Sequence, residues 1–202
     1  MCLQYYEAVQ RSPTAEFGTA RRGQLFDDLQ ALFLAEGFAH LTLDDIAGRL
    51  RCSKSTLYTL ADSKDALVRA ATVRFFRGAT DAVEGRVAER TGARERITTY
   101  LSAVGRALDV ASAQFLADLA AFPPAREVYE TNTAIAARRV QELIAEGVAA
   151  GEFRDVHASF AGELTATMMV SIQQGRVRAA TGLDDAAAYR ELAALLTGGI
   201  NA

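Results

Sequence analysis

Apolar residues recur at three- and four-residue spacing over most of the chain, the period of an amphipathic helix. Residues 14–36 place Phe17, Leu25, Leu29, Leu32 and Phe33 on one face, and Gly37 follows as a helix-ending glycine with Phe38 packing back. Residues 64–89 line one side with Leu67, Ala71 and Phe75. Residues 93–110 turn Ile97, Tyr100, Leu101, Val104 and Leu108 inward, and 112–121 continue with Phe115, Leu116 and Leu119 towards Phe122. Pro123-Pro124 is the sharpest break. Proline is tolerated in a first helical turn, so a long helix is expected from there to about residue 150, with Val128, Ile135, Val140, Leu143, Ile144 and Val148 as its apolar series and Gly151 as its end. The last two helices are expected at 155–180, striped by Phe160, Leu164, Met168, Ile172 and Val177, and at 184–196, striped by Tyr189, Leu192, Leu195 and Leu196. Both are rich in small residues, among them Ala161, Gly162, Ala166, Ala193 and Ala194. Small side chains let helices approach closely, so two such helices and their copies on a second chain suit a four-helix dimer interface.

The stretch from Leu41 to Leu67, LTLDDIAGRLRCSKSTLYTLADSKDAL, is different in kind. It holds two short helical patterns joined by a tight break. Thr42 is placed as an N-cap with Asp45 three residues on, where a carboxylate reaches back to the free amides of the first turn. Leu43, Ile46, Ala47 and Leu50 form the stripe of the first helix. Arg51-Cys52 interrupts it, Ser53 caps a second helix over residues 54–60, and Asp62-Ser63 interrupts again before Lys64 opens the next. Two short helices, a three-residue connection and a hydroxyl-rich second helix read as a helix-turn-helix. Lys54, Ser55, Thr56 and Thr59 can offer short donors and acceptors to bases and phosphates. Leu57 and Leu60 can pack inward against Ile46 and Leu50. Tyr58, an apolar ring with a hydroxyl tip, suits a phosphate contact at a groove edge. Lys64 adds charge beside free helix-end amides, an arrangement that binds anions.

At these residues the chain resembles the TetR family of bacterial transcriptional regulators. LFLAEGF (32–38), LTLDDIA (41–47), SKSTLY (53–58) and SKDAL (63–67) follow the family pattern in order and without a gap, over roughly the first third of the chain. The resemblance implies an all-α fold: an N-terminal three-helix helix-turn-helix DNA-binding head at 14–66, preceded by an extension at 1–13, and a larger helical ligand-binding and dimerisation body at 67–202. It implies phosphate contacts by Thr42, Tyr58 and Lys64 and base contacts around Lys54 to Thr56. With Arg51, Ser53 and Thr59 these residues complete the candidate DNA-contact set. It also implies a homodimer formed through the last two long helices. Two positions depart from the pattern. Arg51 stands where the turn usually has glycine, so a different turn geometry or different contacts are expected. Ala61 replaces an aromatic residue, which thins the packing between the second and third helices.

Composition adds three things. Half of the 202 residues are apolar, alanine is abundant and only three are proline, all of which favour helices. No apolar run reaches the eighteen or so residues of a membrane span, and no basic-then-apolar leader opens the chain, so a cytoplasmic protein without membrane partners is expected. The net charge is −3, but residues 1–78 carry ten Arg and Lys against nine Asp and Glu. A groove-reading module needs a basic footprint rather than a basic whole, and Arg49, Arg51, Lys54 and Lys64 supply one. Cys2 and Cys52 make no disulfide framework, and Cys52 reads as a small apolar filler in the turn. His40 and His157 lack partners at ligand spacing, so neither a metal nor a cofactor is expected. No glycine-rich phosphate loop or Ser–His–acid grouping marks an enzyme.

A small-molecule effector is expected among the large residues of the middle helices: Phe76, Tyr100, Val104, Phe115, Leu119, Phe122, Tyr129, Met168, Met169 and Ile172, with Gln173 as a polar group. Their apolar bias points to a hydrophobic or aromatic ligand. The expected function is a ligand-responsive repressor that binds double-stranded operator DNA. The competing reading is a helical interaction protein on the same fold that does not bind DNA.

Overall fold

A computed structural model describes residues 13–200, with side chains from residue 21 onwards. The N-terminal extension expected at 1–13 lies outside the described residues, Pro13 apart. All the regular elements among the described residues are helices. In chain order they are α1 (Pro13–Glu36), α2 (Leu43–Arg49), α3 (Lys54–Tyr58), α4 (Lys64–Ala88), α5 (Ala93–Leu108), α6 (Ala113–Ala121), α7 (Pro123–Ala149), α8 (Ala158–Gln173), α9 (Arg176–Thr181) and α10 (Asp185–Gly199).

Helix α1 opens on its proline and stops where Gly37 takes a φ of 80°, the left-handed conformation that favours glycine. The chain then folds back, and the fully buried ring of Phe38 fills the space between α1 and the next elements. Leu29, Phe33, Leu41, Ile46, Leu57 and Leu60 complete the small core around α1, α2 and α3. α4 carries this core into the body. Its own buried residues run from Leu67 through Phe75 and Phe76 to Val87.

In the body, α4, α5 and α7 pack on one another, α8 lies along α7, and α10 lies along α5. Ile97, Leu101, Val140, Leu143 and Ile144 are fully buried at the centre. The helices approach closely where small residues allow it. A side chain at Gly105 would meet the Tyr189 ring at 3.2 Å, and one at Gly147 would occupy the place of the Phe153 ring.

Two expectations are corrected. The helix expected at 155–180 is two helices, because Gly175 adopts a φ of 70° and ends the run. The first part of its apolar stripe is also not core: Phe160 and Leu164 are 69% and 49% exposed, whereas Ala161, Gly162, Thr165, Met169 and, from the expected stripe, Ile172 form the buried face. Small residues face inward because α8 sits tightly on α7, where a side chain at Gly162 would come within 3.0 Å of Gln141 Cβ. No helix among the described residues is long and apolar enough to cross a membrane.

Candidate functional site

Local hydrogen bonds set the helix-turn-helix. The Thr42 hydroxyl accepts from the Asp45 amide at 3.1 Å, and Asp45 Oδ2 accepts from the Thr42 amide at 2.8 Å, a closed capping box. The Thr42 hydroxyl also donates to Asp45 Oδ2 at 2.6 Å, and this bond first and the one from the Thr42 amide second hold the Asp45 carboxyl below its usual range. Ser53 caps α3 by accepting from the Thr56 amide at 3.1 Å, and Ser63 caps α4 by accepting from the Ala66 amide at 3.1 Å.

The turn between α2 and α3 keeps the conformation that glycine usually supplies, although Arg51 occupies it. Arg51 has a φ of 49° and is the one non-glycine residue with positive φ among those described. Its amide bonds the Gly48 carbonyl at 3.2 Å, and the Cys52 amide reaches the Ala47 carbonyl at 3.0 Å, the paired bonds of a Schellman helix end. Cys52 is half-buried, and burial pushes its thiol pKa up, which suits a filler more than a reactive thiolate.

A left-handed L-residue costs about 1–2 kcal/mol, and glycine returns about 0.5–1 kcal/mol of that through its freer unfolded chain. Arg51→Gly should therefore stabilise the protein by about 0.5–1 kcal/mol, a rise in Tm of roughly 1–4 °C by calorimetry. An unchanged or lower Tm would show that the turn is not strained.

Helix α3 has two distinct sides. The helix expected over 54–60 ends at Tyr58, but the side division continues through the turn after it: Leu57 and Leu60 are buried in the core, while Ser53, Lys54, Ser55, Tyr58 and Thr59 are exposed. Thr56 is half-buried, its hydroxyl 2.8 Å from Ser53 Oγ, and Ser55 Oγ lies 2.7 Å from the same atom. The Thr59 hydroxyl donates to the Thr56 carbonyl. Each hydroxyl has further capacity to donate or accept. Lys54 Nζ pairs with Asp44 at 2.7 Å, a hydrogen bond that raises the lysine's pKa. Arg21 and Arg22 of α1 are exposed and border one cleft with Arg51, Ser53, Thr56 and Thr59.

Lys64 is placed differently from expectation. It is not poised over open helix-end amides. Nζ donates to the Ala39 carbonyl at 2.8 Å and lies 5.7 Å from the centre of the Phe122 ring.

In the body a narrow cavity of about 40 Å³ lies between α4, α5, α7 and α8. Of the residues expected to hold an effector, Phe76, Tyr100, Val104, Met169 and Gln173 line it. Asn132 and Thr133 add polar atoms, and the lining carries no charged side chain. Tyr129 stands just behind, its ring 6.1 Å from Phe76, and its hydroxyl donates to Gln173 Oε1, whose amide nitrogen donates to the Tyr189 hydroxyl at 2.9 Å. Burial raises the pKa of all three phenols, Tyr100, Tyr129 and Tyr189, so they stay neutral.

Five expected lining residues lie elsewhere. Phe115 and Phe122 pack edge-on against Phe38 with ring centres 5.7 and 5.6 Å apart, Leu119 and Ile172 are buried in the core, and Met168 faces the outer surface of α8. Among the described residues no three His, Cys, Asp or Glu side chains are grouped to hold a metal ion.

Residues 27–71, which contain α2, α3 and the turn between them, match the family model described as bacterial regulatory proteins, tetR family. The chain carries a TetR-family head. The whole fold is similar to that of solved regulators. A TetR/AcrR-family transcriptional regulator from Thermobifida fusca is similar with 24% identity and a TM-score of 0.67, over 89% of this chain and 98% of that one. A putative transcriptional regulator from Saccharomonospora viridis, in complex with choline, has 20% identity and a TM-score of 0.70 over 91% and 99%. The fatty acid degradation regulator FadR from Bacillus halodurans has 16% identity and a TM-score of 0.70 over 95% and 98%. At these identities the likeness is one of fold. No curated protein sequence matches the chain.

The body has one more surface of note. On α8 and α10, Phe160, Leu164 and Leu195 are exposed and share a shallow groove with Met168, Leu192 and Leu196. Among the described residues one buried charged side chain was not foreseen from the sequence. Asp118 is 3% exposed and lies on the apolar side of α6, between Phe115 and Leu119. The signal was present, because an acidic residue at that spacing interrupts an otherwise apolar face.

Proposed function

We propose that this chain is a ligand-responsive TetR-type transcriptional repressor that binds a near-palindromic operator as a homodimer and is released by a small apolar or aromatic effector. The observation that carries the reading is the two-sided α3, with Leu57 and Leu60 buried and a row of hydroxyl, amine and phenol groups turned to solvent. On this reading residues 14–66 read DNA and 67–202 hold effector and partner, with α4 shared between them. Ser53, Lys54, Ser55, Thr56 and Thr59 meet base edges and nearby phosphates, while Thr42, Arg51, Tyr58 and Lys64 meet the backbone.

The uncharged lining around Phe76, Tyr100, Val104, Met169 and Gln173 supports the effector class. A cavity of about 40 Å³ holds little more than water. A drug-sized ligand needs roughly 300 Å³ or more, so effector binding opens the helices around the cavity, and its preference for the opened form supplies the free energy of release. The exposed apolar face of α8 and α10 supports the dimer. The competing reading, without DNA binding, rests on the departures from the family pattern at Arg51 and Ala61. The glycine-like turn at Arg51 weakens it.

The test is fluorescence anisotropy with duplexes from the promoter region beside the protein's own gene. Binding should weaken linearly in log–log form as salt rises. Tyr58→Ala should reduce affinity about tenfold, the worth of one hydrogen bond to a charged group. No salt-dependent binding to any such duplex would refute the proposal, and binding untouched by Tyr58→Ala would move the interface away from α3.

A further inference from the structure

Helix α4 runs unbroken from the head into the body and is the obvious lever between them. A second connection runs through α6. Asp118 Oδ2 accepts from the Phe38 amide at 2.6 Å and from the Ala39 amide at 2.8 Å, and its Oδ1 accepts from Gln114 Nε2 at 2.7 Å. Both amides belong to the loop between α1 and α2, where no helix supplies acceptors. Gly37 permits the approach, since a side chain there would stand 2.6 Å from Asp118 Oδ2 and 2.7 Å from Gln114 Cγ. Just before α6, the Ser112 amide donates to the Leu34 carbonyl at 2.8 Å. Ala39 is held from its other side as well, by Lys64 Nζ on its carbonyl. One loop residue is thus gripped by α6 through its N–H and by the first residue of α4 through its C=O.

We propose that Asp118 is a head-positioning residue: its carboxylate, bonded to the Phe38 and Ala39 amides, fixes the head against α6 and sets the orientation in which α3 is offered to DNA. The consequence for DNA rests on the function proposed above; the contact itself does not. A buried carboxylate is tolerated because it is matched by N–H donors, and such charge-assisted bonds are short and directional. They fix the loop at one point, beside the packed rings of Phe38, Phe115 and Phe122. α6 packs on α7, which contributes Asn132, Thr133, Ile135 and Ala136 to the cavity wall. A change in the cavity that shifts α7 therefore reaches the loop before α2 through Asp118, without passing along α4.

The experiment compares full-length wild type with Asp118→Ala, which removes the acceptor, and Asp118→Asn, which keeps a neutral oxygen in its place. Amide hydrogen exchange followed by mass spectrometry should accelerate about tenfold in peptides covering residues 37–42 of Asp118→Ala, less in Asp118→Asn, and not at all in α5 and α7. Operator affinity should fall about tenfold for Asp118→Ala with the salt slope of wild type, because no phosphate contact is lost. A phosphate-contact variant would lower that slope by about one. If Asp118→Ala does not fold, Asp118→Asn and Asp118→Ser carry the same comparison. Unchanged exchange in residues 37–42 overturns the contact. Accelerated exchange with unchanged affinity overturns the positioning role. If wild type binds no DNA, the function reading falls and takes the positioning of a DNA head with it, while the exchange result alone still judges the Asp118 bond.

Discussion

Leu164→Glu combined with Leu195→Glu should leave the chain folded, make it monomeric and weaken operator binding by about 100-fold or more. Both side chains are largely in water in the single chain, at 49% and 74% exposure, so charging them removes little from the core of one subunit. In the proposed dimer this face meets its copy, and four carboxylates brought into an apolar four-helix contact cannot be desolvated without partners. The loss of DNA affinity follows from geometry rather than from α3. A dimer binds the second half-site as an intramolecular event, and a monomer does not. Sedimentation velocity and circular dichroism, followed by anisotropy, read the three effects separately. A wild-type chain that sediments as a monomer, or a variant that remains dimeric, would remove the α8–α10 face from the interface.

Phe38→Ala should be among the most damaging single changes in the head, costing about 3–5 kcal/mol, as truncation of a buried phenylalanine usually does. Phe38 is fully buried, with ring centres 5.5 Å from Phe33, 5.7 Å from Phe115 and 5.6 Å from Phe122. Phe115 in turn stacks edge-on against Phe75 of α4 at 5.5 Å. The ring is thus shared between head and body, and the cavity left behind has no flexible neighbour to fill it. In a chain of this size the change should lower Tm by roughly 6–20 °C. Leu164→Ala, on the exposed face, should change the Tm of the subunit fold far less. A Phe38→Ala chain that melts within a degree or two of wild type would show that the aromatic cluster does not join head to body.

The parts of the fold that were legible in the sequence are those governed by near neighbours. Thr42 with Asp45, Ser53, the Pro123 start and the Gly37 and Gly151 ends are all set by interactions a few residues long, and each lies where the chain places it. The two-sided α3 was legible for the same reason, since Leu57 and Leu60 follow helical spacing. Spacing alone did not decide which apolar surface of a helix goes inward. In the first turns of α8 Phe160 and Leu164 lie outside and Ala161 and Gly162 inside, because α7 comes too close there for a larger side chain, whereas Met169 and Ile172 turn into the core further along. Apolar character likewise could not separate cavity wall from core: Phe76 and Tyr100 line the cavity, whereas Phe115 and Phe122 pack on Phe38.

Helix period, capping and turn chemistry act within one or two turns of the chain, so the helical class, the order of most helices, their caps and the helix-turn-helix were already written in the residues. That Arg51 takes a glycine's place, that Lys64 turns back onto Ala39 and that Asp118 holds amides about 80 positions away came from the packing of distant segments. Those outcomes depend on which surfaces meet when distant segments pack, and packing is a property of the assembled whole that no local pattern encodes.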